Sequence, residues 1–164
     1  MKAEHINPFL DSTLNLFENM LGTRPETGEK TIHRNIVSHR WDISGVIGVT
    51  GAAIGVIAIR MTYAMVQKLL EKSGVPIDSE SENLEMISSM VGEMANIIAG
   101  NALGRIKQYD LDISVPIVIQ GKNHSVSWPE NHPIICIPFR CVQGTFEVNV
   151  SLNENLLYGI FPGI

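Results

Sequence analysis

The spacing of hydrophobic positions changes along the chain, and each change marks an element. Leu10, Leu14, Phe17 and Leu21 recur at helical spacing as far as Gly22. Asn7-Pro8 ahead of them reads as the helix start, with Asn as N-cap and Pro at the first helical position. A polar loop over 23–29 leads into an exposed strand over 30–39. Residues 61–73 form an amphipathic helix stopped by Gly74 and Pro76. A longer helix then opens on a capping box, Ser79 with Glu82, and nothing before Lys107 interrupts it except Gly92, Gly100 and Gly104. At 1.5 Å per residue it would measure about 40 Å.

The C-terminal half alternates with a period of two, as half-buried strands do. Leu111, Ile113, Val115, Ile117 and Ile119 mark one strand, and Phe146, Val148, Val150 and Leu152 another whose intervening residues are Thr145, Glu147, Asn149 and Ser151. Between them 133–142 is a strand in which Pro138 signals an edge or a bulge, and Gln143-Gly144 turns the chain.

The charge-free run 43–59 matches the lower limit for a bilayer span, roughly 17 residues. It contains Gly45, Gly48, Gly51 and Gly55, and each glycine costs a helix about 1 kcal/mol. Two buried strands fit better: 43–49 and 54–60, joined by Thr50-Gly51-Ala52-Ala53 and lying against helices, with the glycines allowing close approach. No Gly-Lys-Ser/Thr or G-x-G-x-x-G pattern supports a phosphate loop. The expected fold is α+β, a mostly antiparallel sheet with long helices packed on one face, over a single domain spanning 1–164.

Composition narrows the function. The chain has 164 residues, 45% hydrophobic and 18% charged, with 12 Lys+Arg against 17 Asp+Glu for a net charge of -5. That is ordinary globular composition, with no basic stripe for nucleic acid. Cys136 and Cys141 have an odd separation, so they point to opposite faces of one strand and cannot pair locally. Unpaired cysteines and the lack of a signal-peptide pattern point to a reducing, cytoplasmic setting. His5, His33, His39, His124 and His132 show no metal-ligand spacing, and no Ser or Cys sits in a nucleophile motif.

The long helix carries the candidate chemistry. With Ser89 at 0° and about 100° per residue, Glu93 falls near +40°, Asn96 near -20° and Gly100 near +20°. They share one stripe, opposite Leu84, Ile87, Val91, Met94, Ile98 and Ala102, which should bury against the sheet. Glu82 and Glu85 extend the polar face, and Gly92, Gly100 and Gly104 beside it suggest that something approaches the backbone.

Ser89-x-x-x-Glu93-x-x-Asn96 resembles the [D/S]-x3-E-x2-N signature of the CheC/CheX/FliY phosphatases of bacterial chemotaxis. The INPF opening (6–9), DISGVIGVTG (42–51), and the PIVIQGK and GTFEVNVSL segments extend the resemblance, which is strongest to the CheX members. Asp11 and Asn15 in the first helix do not complete a second signature, so one site per subunit is expected.

The resemblance implies hydrolysis of the aspartyl phosphate of a CheY-type response regulator. Asn96 would orient the water, Glu93 would pair with the regulator's active-site lysine, and Ser89, Gly92 and Gly100 would line the docking surface. It implies no cofactor of the protein's own, the Mg2+ being supplied by the regulator, and a homodimer with no membrane insertion. A non-catalytic docking module for a receiver domain or flagellar switch component is the competing expectation. The apolar segment 155–164 is expected to pack on the domain or across a dimer interface.

Overall fold

The computed structural model describes residues 3–35, 40–76, 79–106, 110–130 and 132–153. Along the chain run α1 (Ala3–Leu21), β1 (Glu26–Thr27), β2 (Thr31–His33), β3 (Ile43–Gly51), β4 (Gly55–Met61), α2 (Tyr63–Lys72), α3 (Glu80–Leu103), β5 (Leu111–Ile113), β6 (Ile117–Gln120), β7 (Ile134–Cys141) and β8 (Gly144–Leu152). The strands form one sheet in the order β1-β7-β8-β4-β3-β5, with β2 also on β7 and β6 also on β3. Every pairing is antiparallel. The expected α+β architecture is the one observed.

The β3–β4 hairpin is central, its register running from Ile43 opposite Met61 to Val49 opposite Gly55. Ile43, Ile47, Ile57 and Ile59 point into the core together with Val148 and Val150, and Ile87, Val91, Met94 and Ile98 of α3 meet them there. Phe17 fixes α1 to the β7–β8 side by stacking on Phe146, ring centroids 4.2 Å apart, and Phe146 stacks in turn on Phe139 at 4.9 Å. Thr62 caps α2 by accepting from the Met65 amide, and Gly74 leaves it at φ 70°.

Four local expectations need correction. First, α1 does not start at Asn7 but at Ala3, with Pro8 inside it. His5 and Ile6 are buried, and burying that extra turn outweighs the backbone bond Pro8 cannot donate. Second, the strand expected over 30–39 is observed at Thr31–His33, and β1 forms inside the expected loop; residues 36–39 lie outside the described residues, as does 154–164 with its apolar tail. Pro138, whose carbonyl accepts from the Gly28 amide, sits between the β1 and β2 pairings. Having no N–H to offer, it divides that sheet edge.

Third, the strand expected over 111–119 is two strands. Val49 faces Ile113 and Val46 faces Ile117, so the chain carries one extra residue around Ser114–Pro116 and the alternation inverts. Val118 therefore packs on the core, while Val115 and Ile117 are 84% and 64% exposed. Fourth, two of the four polar residues of β8 do not face solvent: Asn149 and Ser151 are fully buried, as are Ser44 and Arg60 on the same sheet face, while Thr145 and Glu147 are half-buried. Ser44 Oγ lies 2.7 Å from His124 Nε2, which comes from the segment after β6, and Asn149 donates to Glu147 at 2.8 Å.

Candidate functional site on the long helix

Local sequence explains both ends of α3. The Ser79 hydroxyl accepts from the Glu82 amide, so the expected cap forms. The expected run to Lys107 ends earlier, at Leu103, with Gly104 donating to the Gly100 carbonyl. Ile106 is buried and its amide bonds to Leu103, so the chain turns inward there; residues 107–109 lie outside the described residues. Of the face expected to be buried, Ile87, Val91, Met94, Ile98 and Ala102 are buried, whereas Leu84 is exposed. In the first turns of α3, Glu80, Glu82 and Glu85 around Leu84 are exposed as well.

The stripe stands on the outer side. Ser89, Glu93 and Gly100 are exposed, and Asn96 is half-buried. Glu93 and Asn96 are three residues apart on a continuous helix, which puts them about 5–6 Å apart as neighbours on one face. Among the described residues neither the Glu93 carboxylate nor the Asn96 amide is engaged by another side chain. An acceptor and a neutral donor–acceptor pair thus stand side by side, free for a partner. Gly100 faces open space, with Ile113 Cδ1 at 4.0 Å from where a Cβ would stand.

Gly92 is placed differently from the other four. It is buried, and a Cβ there would lie 3.3 Å from Val118 Cγ2 and 3.8 Å from Pro116 Cγ. What approaches the backbone at Gly92 is the protein's own β6. The Ser114–Pro116 step that brings β6 under α3 was missed in the sequence, where Pro116 was its only signal. Asp11 of α1 is engaged with Arg105 at 3.5 Å.

Other candidate chemistry is closed off. Ser44 and His124 have the separation of a nucleophile and its base, and His124 Nδ1 is 2.8 Å from the Gly121 carbonyl, but Ser44 is fully buried. Both cysteines are free. Burial, with Glu147 adding to it, pushes the Cys136 thiol up to about 11, which leaves it inert at neutral pH. Burial pulls the Arg60 guanidinium down from its usual range, opposed by Glu147. Among the described residues no three His, Cys, Asp or Glu side chains are grouped to hold a metal ion, and no helix is long and apolar enough to cross a membrane. A cavity of about 440 Å³ bounded by Arg40, Pro138, Arg140 and Glu147 lies on the β7–β8 side of the sheet, away from the β3–β5 edge beside Gly100.

Among the described residues, an antiparallel sheet with three helices on one face, the longest presenting Ser, Glu and Asn to solvent, defines a protein of the CheC-like class. The chain is similar to a CheC-like superfamily protein from Shewanella sp. PV-4, with 28% identity, TM-score 0.81, and 93% of this chain and 99% of that one covered. It is similar to the chemotaxis protein CheX of Desulfovibrio desulfuricans, with 29% identity, TM-score 0.81 and coverage of 92% and 99%. It is also similar to CheX of Borrelia burgdorferi in a CheX-CheY-BeF3-Mg2+ complex, with 27% identity, TM-score 0.78 and coverage of 92% and 98%. A search of the curated proteins finds no significant match. Residues 43–140 match the family model described as chemotaxis phosphatase CheX, and the chain belongs to that family.

Proposed function

We propose that this protein hydrolyses the aspartyl phosphate of a CheY-type response regulator, with Asn96 orienting the attacking water and Glu93 pairing with the regulator's active-site lysine. One observation carries the reading: α3 of a CheX-family chain presents an unengaged carboxylate and a neutral amide as neighbours on one exposed stripe. That a relative has been crystallised with CheY, BeF3 and Mg2+ supports a receiver domain as the partner.

The chemistry asks little of the phosphatase beyond geometry. The acyl phosphate is reactive, and the charge at phosphorus is met by the regulator's own Mg2+ and lysine. Asn96 accepts from the water through its carbonyl oxygen and donates through its amide nitrogen, aiming a lone pair at phosphorus. The new P–O bond forms as the bond to the aspartyl oxygen breaks, releasing inorganic phosphate and the regulator's carboxylate. A neutral amide adds no negative charge beside the phosphoryl group, which a carboxylate would. Glu93 anchors the helix by a charge-assisted bond to lysine, and Ser89 and Gly100 line the docking surface, with Gly92 beneath it. The protein acts in the cytoplasm as a homodimer of one CheX-like domain over residues 1–164, with one site per subunit and no cofactor of its own.

Phosphate release from a Mg2+-loaded, chemically phosphorylated regulator tests the reading. Wild-type protein should accelerate release, Asn96→Ala should lose about 10²-fold of that acceleration while still binding, and Glu93→Ala should weaken both binding and turnover. Binding without acceleration by the wild type would overturn the proposal and leave a non-catalytic docking module.

A further inference from the structure

α3 comes close to the sheet directly beneath the turn that carries Glu93 and Asn96. A Cβ built on Gly45 of β3 would stand 2.8 Å from the Val91 carbonyl oxygen, 3.0 Å from Ala95 Cβ and 3.1 Å from Val91 Cγ1. Val91 and Ala95 bracket Glu93 on the inner face of the helix, and both are buried. Gly45 is also the register partner of Val118 on β6, and it is Val118 whose Cγ2 approaches Gly92. Gly45, Val118 and Gly92 thus make one contact at which β3, β6 and α3 meet.

Gly48 on the same strand is different. A Cβ there would find only Ser114, at 3.5 and 3.7 Å, which is ordinary contact. A glycine inside a strand weakens it, but at Gly45 the absence of a side chain lets helix backbone rest almost on strand backbone.

We propose that Gly45 is a positioning residue for the phosphatase reaction, setting the depth at which Glu93 and Asn96 stand relative to the β5–β6 rim of the sheet. The proposal rests on the reading of the α3 stripe as the reacting surface. A methyl at position 45 must move the Val91 carbonyl outward by roughly 0.6 Å to restore ordinary contact. Glu93 and Asn96 move with that turn, while β6, hydrogen-bonded to β3, does not. A reaction that depends on holding water in line loses up to about 10²-fold for a displacement near 1 Å.

The test is Gly45→Ala, with Gly48→Ala as the control in the same strand, assayed for phosphate release at a temperature where circular dichroism shows each variant folded. Gly45→Ala should lower kcat at least about tenfold with KM within about threefold of wild type, and Gly48→Ala should leave both within about twofold. A merely structural role would lower the melting temperature and leave kcat of the folded protein unchanged; that outcome, with active wild type, overturns the proposal alone. Should Gly45→Ala not fold, Gly92→Ala decides. It should lower kcat, and adding Val118→Ala should restore part of the loss by making room for the new methyl; no loss in Gly92→Ala overturns the proposal. Absence of acceleration by wild-type protein defeats the functional reading and the positioning role with it.

Discussion

Replacing Phe146 by alanine should destabilise the protein severely and leave the chemistry of each folded molecule intact. The ring is 1% exposed and lies between two near-parallel partners, Phe17 at 4.2 Å and 12° and Phe139 at 4.9 Å and 9°. Truncation removes the buried ring and leaves a cavity, which costs about 3–5 kcal/mol in well-packed cores. Two stacking contacts, each about 0.5–1.5 kcal/mol beyond area burial, place this site in the upper part of that range. Against a native stability of about 5–15 kcal/mol the loss is a large fraction. At about 2–4 °C per kcal/mol for a chain of this size, the melting temperature should fall by roughly 8–20 °C. Phe146→Leu, which keeps much of the volume, should cost about half as much. Urea unfolding followed by the fluorescence of Trp41 and Trp128 measures both, with the midpoint falling and the slope unchanged. Phe146 anchors α1 on the β7–β8 side, whereas the reacting turn is seated on β3 and β6, so kcat measured in the cold should stay within about twofold of wild type. A cost below about 1 kcal/mol would refute the anchoring argument, and a loss of kcat in folded Phe146→Ala would refute the separation of the two contacts.

Two further outcomes follow from local chemistry. With its thiol pushed up to about 11 by burial and by Glu147, Cys136 is thiolate at only about one part in 10³ at pH 8. Iodoacetamide should therefore label half-exposed Cys141 alone in the folded protein, with labelling of Cys136 rising about tenfold per pH unit towards 11; mass spectrometry of the digested protein reads this, and equal labelling at pH 8 would contradict it. Ser79→Ala removes the hydroxyl that accepts from the Glu82 amide and should cost about 0.5–2 kcal/mol in thermal unfolding, with Ser79→Asp close to wild type.

The fold was legible wherever one periodicity ran uninterrupted. The hairpin, α2, α3 and the β7–β8 pair follow from spacing and caps, because a buried face at a fixed period admits one element type. The misses share a cause, which is that tertiary contacts set where an element begins, breaks or faces. Pro8 looks like a helix start until His5 and Ile6 are seen to be buried before it. Val115 and Ile117 look like core residues until the extra residue near Pro116 turns them outward. Asn149 and Ser151 look solvated because polar residues alternating with apolar ones usually are; here that second sheet face is buried as well, and His124 reaches Ser44 on it.

At the site, direction was legible and depth was not. Helical geometry alone puts Ser89, Glu93, Asn96 and Gly100 on one stripe, and the structure shows that stripe exposed or half-exposed. Gly92, beside that stripe, is expected on the docking surface, although the helix turns it towards β6 and covers it with Val118 and Pro116. How far the stripe stands above the sheet depends on Gly45, a residue on another element whose only signal was a glycine inside an apolar run. A motif read from one helix gives the angular position of its side chains, while the height of the helix comes from what lies beneath it. For a reaction that works by holding water in line, both coordinates matter equally, so a search for determinants of turnover in this family should extend from the signature to the strand residues under it.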